Sequence, residues 1–426
     1  MMKAYPTYKS SETKWLGKIP EHWYIVKLKW VTKFRYGSSL SEEQRLDGDV
    51  PVYGSNGPVG YHNEAITDSP CIIVGRKGSF GKVNFSEKPC FPTDTTYYID
   101  KSATQHNLFW LRYLLPLLKL DSLSQDSAVP GLSREEAYEK LLALPTLLEQ
   151  QAIANYLDHK TRKIDILIEK KQRLIELLKQ ERTAIINQTV TKGINPDANT
   201  KDSGIEWIGE IPEHWELKRL KYVAVLQNSN VDKKTSDGEK KVLLCNYLDV
   251  YQHEFIEDSI SFMEATASDG EIEKFNIQIG DVLVTKDSET PDDIAVPALV
   301  VSDLTNVICG YHLSQIRPVK EALRGEFLFR LFQSKRFNGQ FEVSANGVTR
   351  FGLSVSTIAD AFIPLPELDE QASIADYLKG MARQIDDTIM KNLKGIELLQ
   401  EYRTALISEV VTGKIDVREY ASGKNN

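Results

Sequence analysis

The chain has 426 residues, 41% hydrophobic and 26% charged, a soluble composition too long for one ordinary core, so two or more domains are expected. Met1 to Ser10 has no apolar h-region, and the longest apolar stretch, Leu108 to Leu118, carries Arg112 and Pro116; neither a signal peptide nor a membrane span is expected, and the cytoplasm is the expected location. Net charge is −8, of which Ala224 to Pro364, with 21 acidic and 13 basic residues, holds the whole excess, while Asp158 to Lys192 carries 9 basic and 5 acidic; an acidic total does not exclude a nucleic-acid partner if cations gather on one face.

Taken in chain order, the first distinctive segment is Trp15-Leu-Gly-Lys-Ile-Pro-Glu-His-Trp23, which recurs as Trp207-Ile-Gly-Glu-Ile-Pro-Glu-His-Trp215, an offset of 192 that holds without a gap to Val31 and Val223. Its His22 and His214 have no pair of carboxylates or nucleophile elbow near them, so the box reads as a structural turn closed by an aromatic. Residues 50 to 99 alternate turn signals, such as Tyr53-Gly-Ser-Asn-Gly57, with short β-prone runs, Cys71 to Val74 and Thr95 to Ile99. Cys71, Cys90, Cys245 and Cys309 stand singly, without a CxxC pair or a zinc-finger histidine spacing, and are expected as reduced thiols.

Gly75-Arg-Lys-Gly-Ser-Phe-Gly-Lys-Val83 superficially resembles a phosphate loop. Five residues separate Gly75 from Gly81 where a Walker A loop has four, and Val83 stands where that loop needs Ser or Thr, so nucleotide binding is rejected. A glycine-flexed loop with Arg76, Lys77, Ser79 and Lys82 suits a DNA backbone, with Ser55 and Asn56 as further contact candidates; a solvated hairpin with incidental charge is the alternative. A short helical region is expected over Asn107 to Lys119.

A second repeat begins downstream. Gly131-Leu-Ser133 matches Gly352-Leu-Ser354, Leu144-Pro-Thr-Leu-Leu-Glu-Gln150 matches Leu365-Pro-Glu-Leu-Asp-Glu-Gln371, and the match runs to Val190-Thr191 and Val411-Thr412, an offset of 221. The second half thus holds 29 more residues between its matching blocks. Within this repeat Leu157, Ile164, Ile168, Ile175, Leu178 and Ile185 form an apolar stripe at helical period, and Leu378, Ile385, Ile389, Ile396, Leu399 and Leu406 copy it. Pro145 and Pro366 stand before the helices, and Gly193 and Gly413 near their ends. Within the first of them, Asp158 to Val190 is 33 residues, or roughly 50 Å of helix. Matching stripes point to an antiparallel coiled coil between the copies; each helix packing only on its own domain is the alternative.

In the second middle, Asp281 to Thr285, Ala298 to Val301 and Asn306 to Ile308 read as buried strands, and Glu321 to Phe337 as helical. Lys286 and Ser288, Gln315 and Arg317, and Asn346, Thr349 and Arg350 are the remaining DNA-contact candidates, since Arg, Gln and Asn can pair bidentately with base edges while Lys and Ser hold phosphates. The Glu239-Lys-Lys241 fragment with Asp232 and Asp237 is too common a pattern to indicate a nuclease, and no Asn-Pro-Pro-Tyr or Asp-Pro-Pro-Tyr methyltransferase motif occurs. No catalytic or metal-binding residue is assigned.

Two diverged domains, each followed by Leu-Pro-x-Leu-x-Glu-Gln and a long helix, resemble the specificity subunits of type I restriction–modification systems. The Ile-Pro-Glu-His-Trp box, the Gly-Arg-Lys-Gly-Ser-Phe-Gly loop and Gly310-Tyr-His-Leu-Ser314 are similar to that family too; Ala143, where the second copy has Pro364, is a small departure. The resemblance implies an α+β fold with two target-recognition domains, 1–144 and 195–365, each followed by a spacer-helix region, 145–194 and 366–426. It implies double-stranded DNA as ligand, read in two halves, and partner subunits: two modification subunits using S-adenosylmethionine for adenine methylation, and restriction subunits using ATP and Mg2+. The chain itself would be non-catalytic and hold no cofactor. A coiled-coil adaptor that binds proteins rather than DNA is the competing reading.

Overall fold

The computed structural model describes residues 3–122, 131–233, 235–347 and 349–420. The chain divides into two units, one of residues 1–171 with 393–426 and the other of residues 172–392. Each mixes helix and sheet and includes parts of both long helices. Among the described residues no helix is long and apolar enough to cross a membrane.

In the first unit, Tyr8–Ser10 pairs antiparallel with Lys18–Pro20, delivering Trp23 to the core with no exposed surface. A four-stranded antiparallel sheet follows, in the order Arg35–Tyr36, Thr96–Ile99, Cys71–Gly75, Val83–Ser86. Its two middle strands are buried throughout, which explains their unbroken apolar runs. A smaller sheet joins Gly57–His62, Val50–Gly54 and Phe91–Pro92. The helix Leu108–Leu117 packs its Trp110, Leu111, Leu114 and Leu115 into the core, so the longest apolar stretch is a core helix.

The second unit repeats the plan with a larger sheet, ordered Ala224–Asn228, Leu313–Pro318, Val282–Thr285, Pro297–Val300, Phe255–Ile256. A three-stranded sheet, Met263–Ala267, Lys240–Cys245 and Val307–Cys309, has a core of its own around Leu244, Phe275 and Ile308. Cys245 and Cys309, distant in sequence, are register partners on neighbouring parallel strands. The helical region expected over Glu321 to Phe337 holds two helices and runs five residues further, Gly325–Phe332 and Lys335–Glu342, with the buried Ser334 capping the second through Phe337 N–H at 3.3 Å.

The long helices are Leu147–Lys192 and Leu368–Val411, of 46 and 44 residues. The first starts two residues after Pro145, the proline that sequence reading places before it, and so extends the Asp158–Val190 segment by eleven residues; within that extension the polar Glu149 and Gln150 are buried. Both are held. Trp23 Nε1 donates to Glu149 Oε1 at 3.2 Å, and His22 Nε2 lies 2.8 Å from the same oxygen. Gln150 links the carbonyl of Pro145, at 3.0 Å, to the N–H of Asn107, at 3.0 Å, and so fixes the start of the Leu108 helix.

The second unit copies each bond. Trp215 Nε1 donates to Glu370 at 3.0 Å and His214 Nε2 lies 2.9 Å from it, while Gln371 binds Pro366 O at 2.8 Å and the N–H of Arg324 at 2.9 Å. The two sequence repeats therefore meet in space: the Ile-Pro-Glu-His-Trp box is the ligand of the Leu-Pro-x-Leu-x-Glu-Gln segment. The strands beside them match as well, Tyr24–Lys27 with Leu141–Leu144 and Glu216–Arg219 with Phe362–Leu365, with Ala143 and Pro364 at the same ladder position.

Each box is closed from behind by the end of the other repeat's helix. Gly413, at φ +76°, lies where a Cβ would meet Pro20 at 2.5 Å and Trp23 at 3.0 Å; Gly193, at φ +72°, faces Trp215 at 3.3 Å. Both positions need glycine for a left-handed backbone and for close approach. Within the first unit Ile164 and Leu406 share one core and Arg403 Nε donates to Asp165 at 3.0 Å; within the second, Ile186 and Leu378 share another and Arg182 lies 3.9 Å from Asp386.

Candidate nucleic-acid interface

In the first unit the predicted residues Ser55, Asn56, Arg76, Lys77, Ser79 and Lys82 come together. The strand Cys71–Gly75 ends in a tight loop closed by Gly75 N–H to Lys82 O at 2.8 Å and Gly81 N–H to Gly75 O at 2.9 Å. Gly81, at φ +74°, would clash with the Asp121 backbone at 2.2 Å if it carried a Cβ. The tip of the Val50–His62 hairpin lies against this loop: Lys82 Nζ donates to Asn56 O at 2.8 Å and to its Oδ1 at 2.7 Å. Lys77, Ser79 and Lys82 are exposed. Arg76 donates through Nε to Asp94 O at 3.0 Å, and its guanidinium lies 5.4 Å from the ring of Tyr36. Arg134 lies 5.2 Å from the same ring, so an exposed tyrosine has two guanidinium groups beside it.

In the second unit the candidates divide. Lys286, Ser288, Asn346, Thr349 and Arg350 gather at the end of Val282–Thr285. Lys286 Nζ donates to Ser229 O at 3.1 Å and lies 4.3 Å from the Tyr311 ring; burial pushes its pKa down, with Asp287 opposing. Asp287 joins the group, its carboxylate 2.7 Å from His312 Nδ1 and 3.0 Å from Arg350 Nε. Ser288 is buried and caps Thr290 N–H at 3.4 Å, and Asn346 exchanges backbone hydrogen bonds with Gly352 at 3.0 and 3.3 Å. Thr349 is exposed; Val348 of the Asn346-Gly-Val-Thr-Arg350 run lies outside the described residues.

Gln315 and Arg317 stand apart from that cluster. Arg317 holds the buried Asp281 with two donors, at 2.8 and 2.7 Å, and the Asn276 carbonyl at 2.8 Å. Gln315, buried, donates to the Asn276 carbonyl and Asp281, both at 2.7 Å. Asp281 precedes and Lys286 follows the strand Val282–Thr285, so the two groups sit at opposite ends of it, about 16 Å apart at ~3.3 Å per residue. The structure turns the donors of Gln315 and Arg317 inward, where sequence reading expects them outward.

The two clusters occupy one position in the repeated plan. Leu132 N–H donates to Arg76 O, and Leu353 N–H to Lys286 O, each at 2.8 Å. Arg76 N–H in turn donates to Thr95 O at 2.9 Å, and Lys286 N–H to His312 O at 3.1 Å. Lys77 bridges Gly131, and Asp287 pairs with Gly352. Arg76 thus corresponds to Lys286 and Lys77 to Asp287: one backbone platform carries two different sets of side chains. Sequence reading misses Tyr36, Arg134 and Asp287, and it singles out Tyr311 and His312 only as part of Gly310-Tyr-His-Leu-Ser314, without a contact role. The repeated Gly-Leu-Ser segment is the signal for the platform, since it is the strand that pairs with it.

A family model described as type I restriction modification DNA specificity domain matches residues 20–177 and 212–398. The MjaVIII type I restriction enzyme specificity subunit of Methanocaldococcus jannaschii is 23% identical over 423 residues, covering 94% of this chain and 95% of that protein. The EcoBI specificity subunit of Escherichia coli is 23% identical over 366 residues, covering 79% and 74%. Among solved structures, one from work on complex assembly and conformational transition of the type I restriction–modification system superposes with a TM-score of 0.64 at 14% identity, over 92% of this chain and 98% of that one. The specificity (HsdS) subunit from Thermoanaerobacter tengcongensis gives 0.54 at 14% identity, over 93% and 98%. With both halves matched by one model, the chain belongs to the type I restriction–modification DNA specificity family.

Proposed function

We propose that this chain is the non-catalytic, DNA-reading subunit of a type I restriction–modification complex, working in the cytoplasm. Each recognition domain, 1–144 and 195–365, reads one half of a split target in double-stranded DNA. The observation that carries this reading is the shared platform with unlike side chains. Arg76, Lys77, Ser79 and Lys82, with Ser55 and Asn56, meet one half-site; Lys286, Ser288, Asn346, Thr349 and Arg350 meet the other. Two copies of one backbone with different donors is what recognition of two different sequences by one fold requires. Gln315 and Arg317 enter as the brace of the second sheet.

The regions 145–194 and 366–426 act as the spacer, pairing as an antiparallel coiled coil; the shared stripe and the Asp165–Arg403 and Arg182–Asp386 pairs support this. Two modification subunits supply S-adenosylmethionine-dependent adenine methylation, and restriction subunits supply ATP- and Mg2+-dependent translocation and cleavage. Sequencing adenine methylation across the host genome tests the reading. One discontinuous motif should vanish when the gene is deleted; a methylation pattern unchanged by deletion would refute it.

A further inference from the structure

Trp30 and Tyr222 occupy the same position in the first repeat, offset by 192, and both are exposed, by 74% and 70%. Each ends a one-turn helix, Leu28–Trp30 or Leu220–Tyr222, whose leucine is fully buried. The backbone attachment is the same: Leu28 N–H donates to Lys140 O and Leu220 N–H to Ala361 O, each at 2.9 Å. The surrounding charges are copied too. Lys27 and Lys29 both bind Glu139, the latter at 2.9 Å, and Arg219 and Lys221 both bind Asp360, at 2.9 and 2.7 Å. Lys29 and Lys221 lie 5.9 and 5.5 Å from the neighbouring aromatic ring.

Residue class is kept while identity changes: Trp for Tyr, Lys for Arg, Glu for Asp. Packing accounts for the buried leucines but asks for no aromatic ring in water, and a ring that stays exposed in both copies is not one scattered surface residue. Trp, Tyr and Arg are the residues that dominate protein–protein contacts. A phosphate backbone suits the patch poorly, because a carboxylate between the two cations cancels one of them. A patch present once in each unit fits a partner present in two identical copies.

We infer that the Trp30 and Tyr222 patches are equivalent docking sites, each receiving an apolar pocket with an acidic rim on one modification subunit. The inference rests on the functional reading above. The test is native mass spectrometry of the full chain co-expressed with its modification subunit, with titration to measure affinity. Trp30→Ala and Tyr222→Ala should each lose one copy of the partner, with binding at that site weakened about 30-fold or more, and the double variant should lose both. Because the rings are exposed, thermal midpoints should stay unchanged, and Trp30→Tyr should keep both copies. Two copies retained by both alanine variants, at affinities within about twofold of wild type, would overturn the inference. So would variants that keep the partner and lose DNA affinity with a shallower salt slope, which would assign the patches to DNA. A wild-type chain that takes up no modification subunit would instead overturn the functional reading, and this inference with it.

Discussion

Glu149 sits almost fully buried and accepts hydrogen bonds from His22, Trp23 and both donors of Thr146. Burial opposes its ionisation, but those donors outweigh it and hold its pKa below the free value of 4.5. A carboxylate with a lowered pKa contributes stability that is fully present above pH 4.5 and is lost as pH falls through the folded value. Glu149→Gln should therefore cost about 1–3 kcal/mol in denaturant unfolding at neutral pH, and the gap to wild type should close under acid. A constant gap across that range would remove the charge from the account. Arg317→Ala should also act on stability, because it leaves the buried Asp281 without its guanidinium; about 3 kcal/mol is expected, with the recognised DNA sequence unchanged. Arg76→Ala and Lys77→Ala should do the reverse, weakening DNA binding by the assembled complex without unfolding it. Loss of a base contact would cost about 1–3 kcal/mol, and loss of a phosphate contact would reduce the salt slope by roughly 0.9. Binding and salt slope unchanged in both would remove the loop from the interface.

At the scale of elements, the helix pair is the part most open to a geometric test. Asp165 meets Arg403, so the proposed antiparallel pairing would set Glu169, four residues on, opposite Leu399. A four-residue insertion after Glu169 needs a matching one after Leu398 to keep the stripes facing. Each adds about 6 Å at ~1.5 Å per residue, close to two base pairs at ~3.4 Å each. If the pair sets the spacing, the double insertion should methylate the same half-sites with a gap longer by about one or two base pairs, read by methylation sequencing. Methylation at the original gap by a folded double variant would show that the helices do not set it. The stripes themselves were legible because a 3.6-residue period survives in sequence; the burial of Glu149 and Gln150 was not, since both look like surface residues until their partners are placed.

For the molecule as a whole, the net charge of −8 would suit the proposed arrangement, in which partner subunits carry much of the phosphate contact. The purified chain alone should leave DNA unmethylated and uncut, whereas with its modification subunits it should direct methylation of one discontinuous sequence. Replacing residues 32–140 with the matching domain of a relative should change one half-site and spare the other. A change in both would contradict separate reading.

The repeats, the helical stripes and the family were written in the sequence, because periodicity and duplication are properties of residue order. So was the glycine-flexed loop, whose Gly78 and Gly81 take left-handed backbone at +72° and +74°. The tertiary structure alone decided that Ser55 and Asn56 belong with that loop, that Lys286 and Arg350 meet at Asp287, and that Gln315 and Arg317 face inward. It alone joined each Ile-Pro-Glu-His-Trp box to its glutamate, 127 residues away for His22 and 156 for His214. The direction of a polar side chain depends on which strand ends pack beside it and which partners they bring. Those partners come from distant parts of the chain, and no local pattern of residues records them.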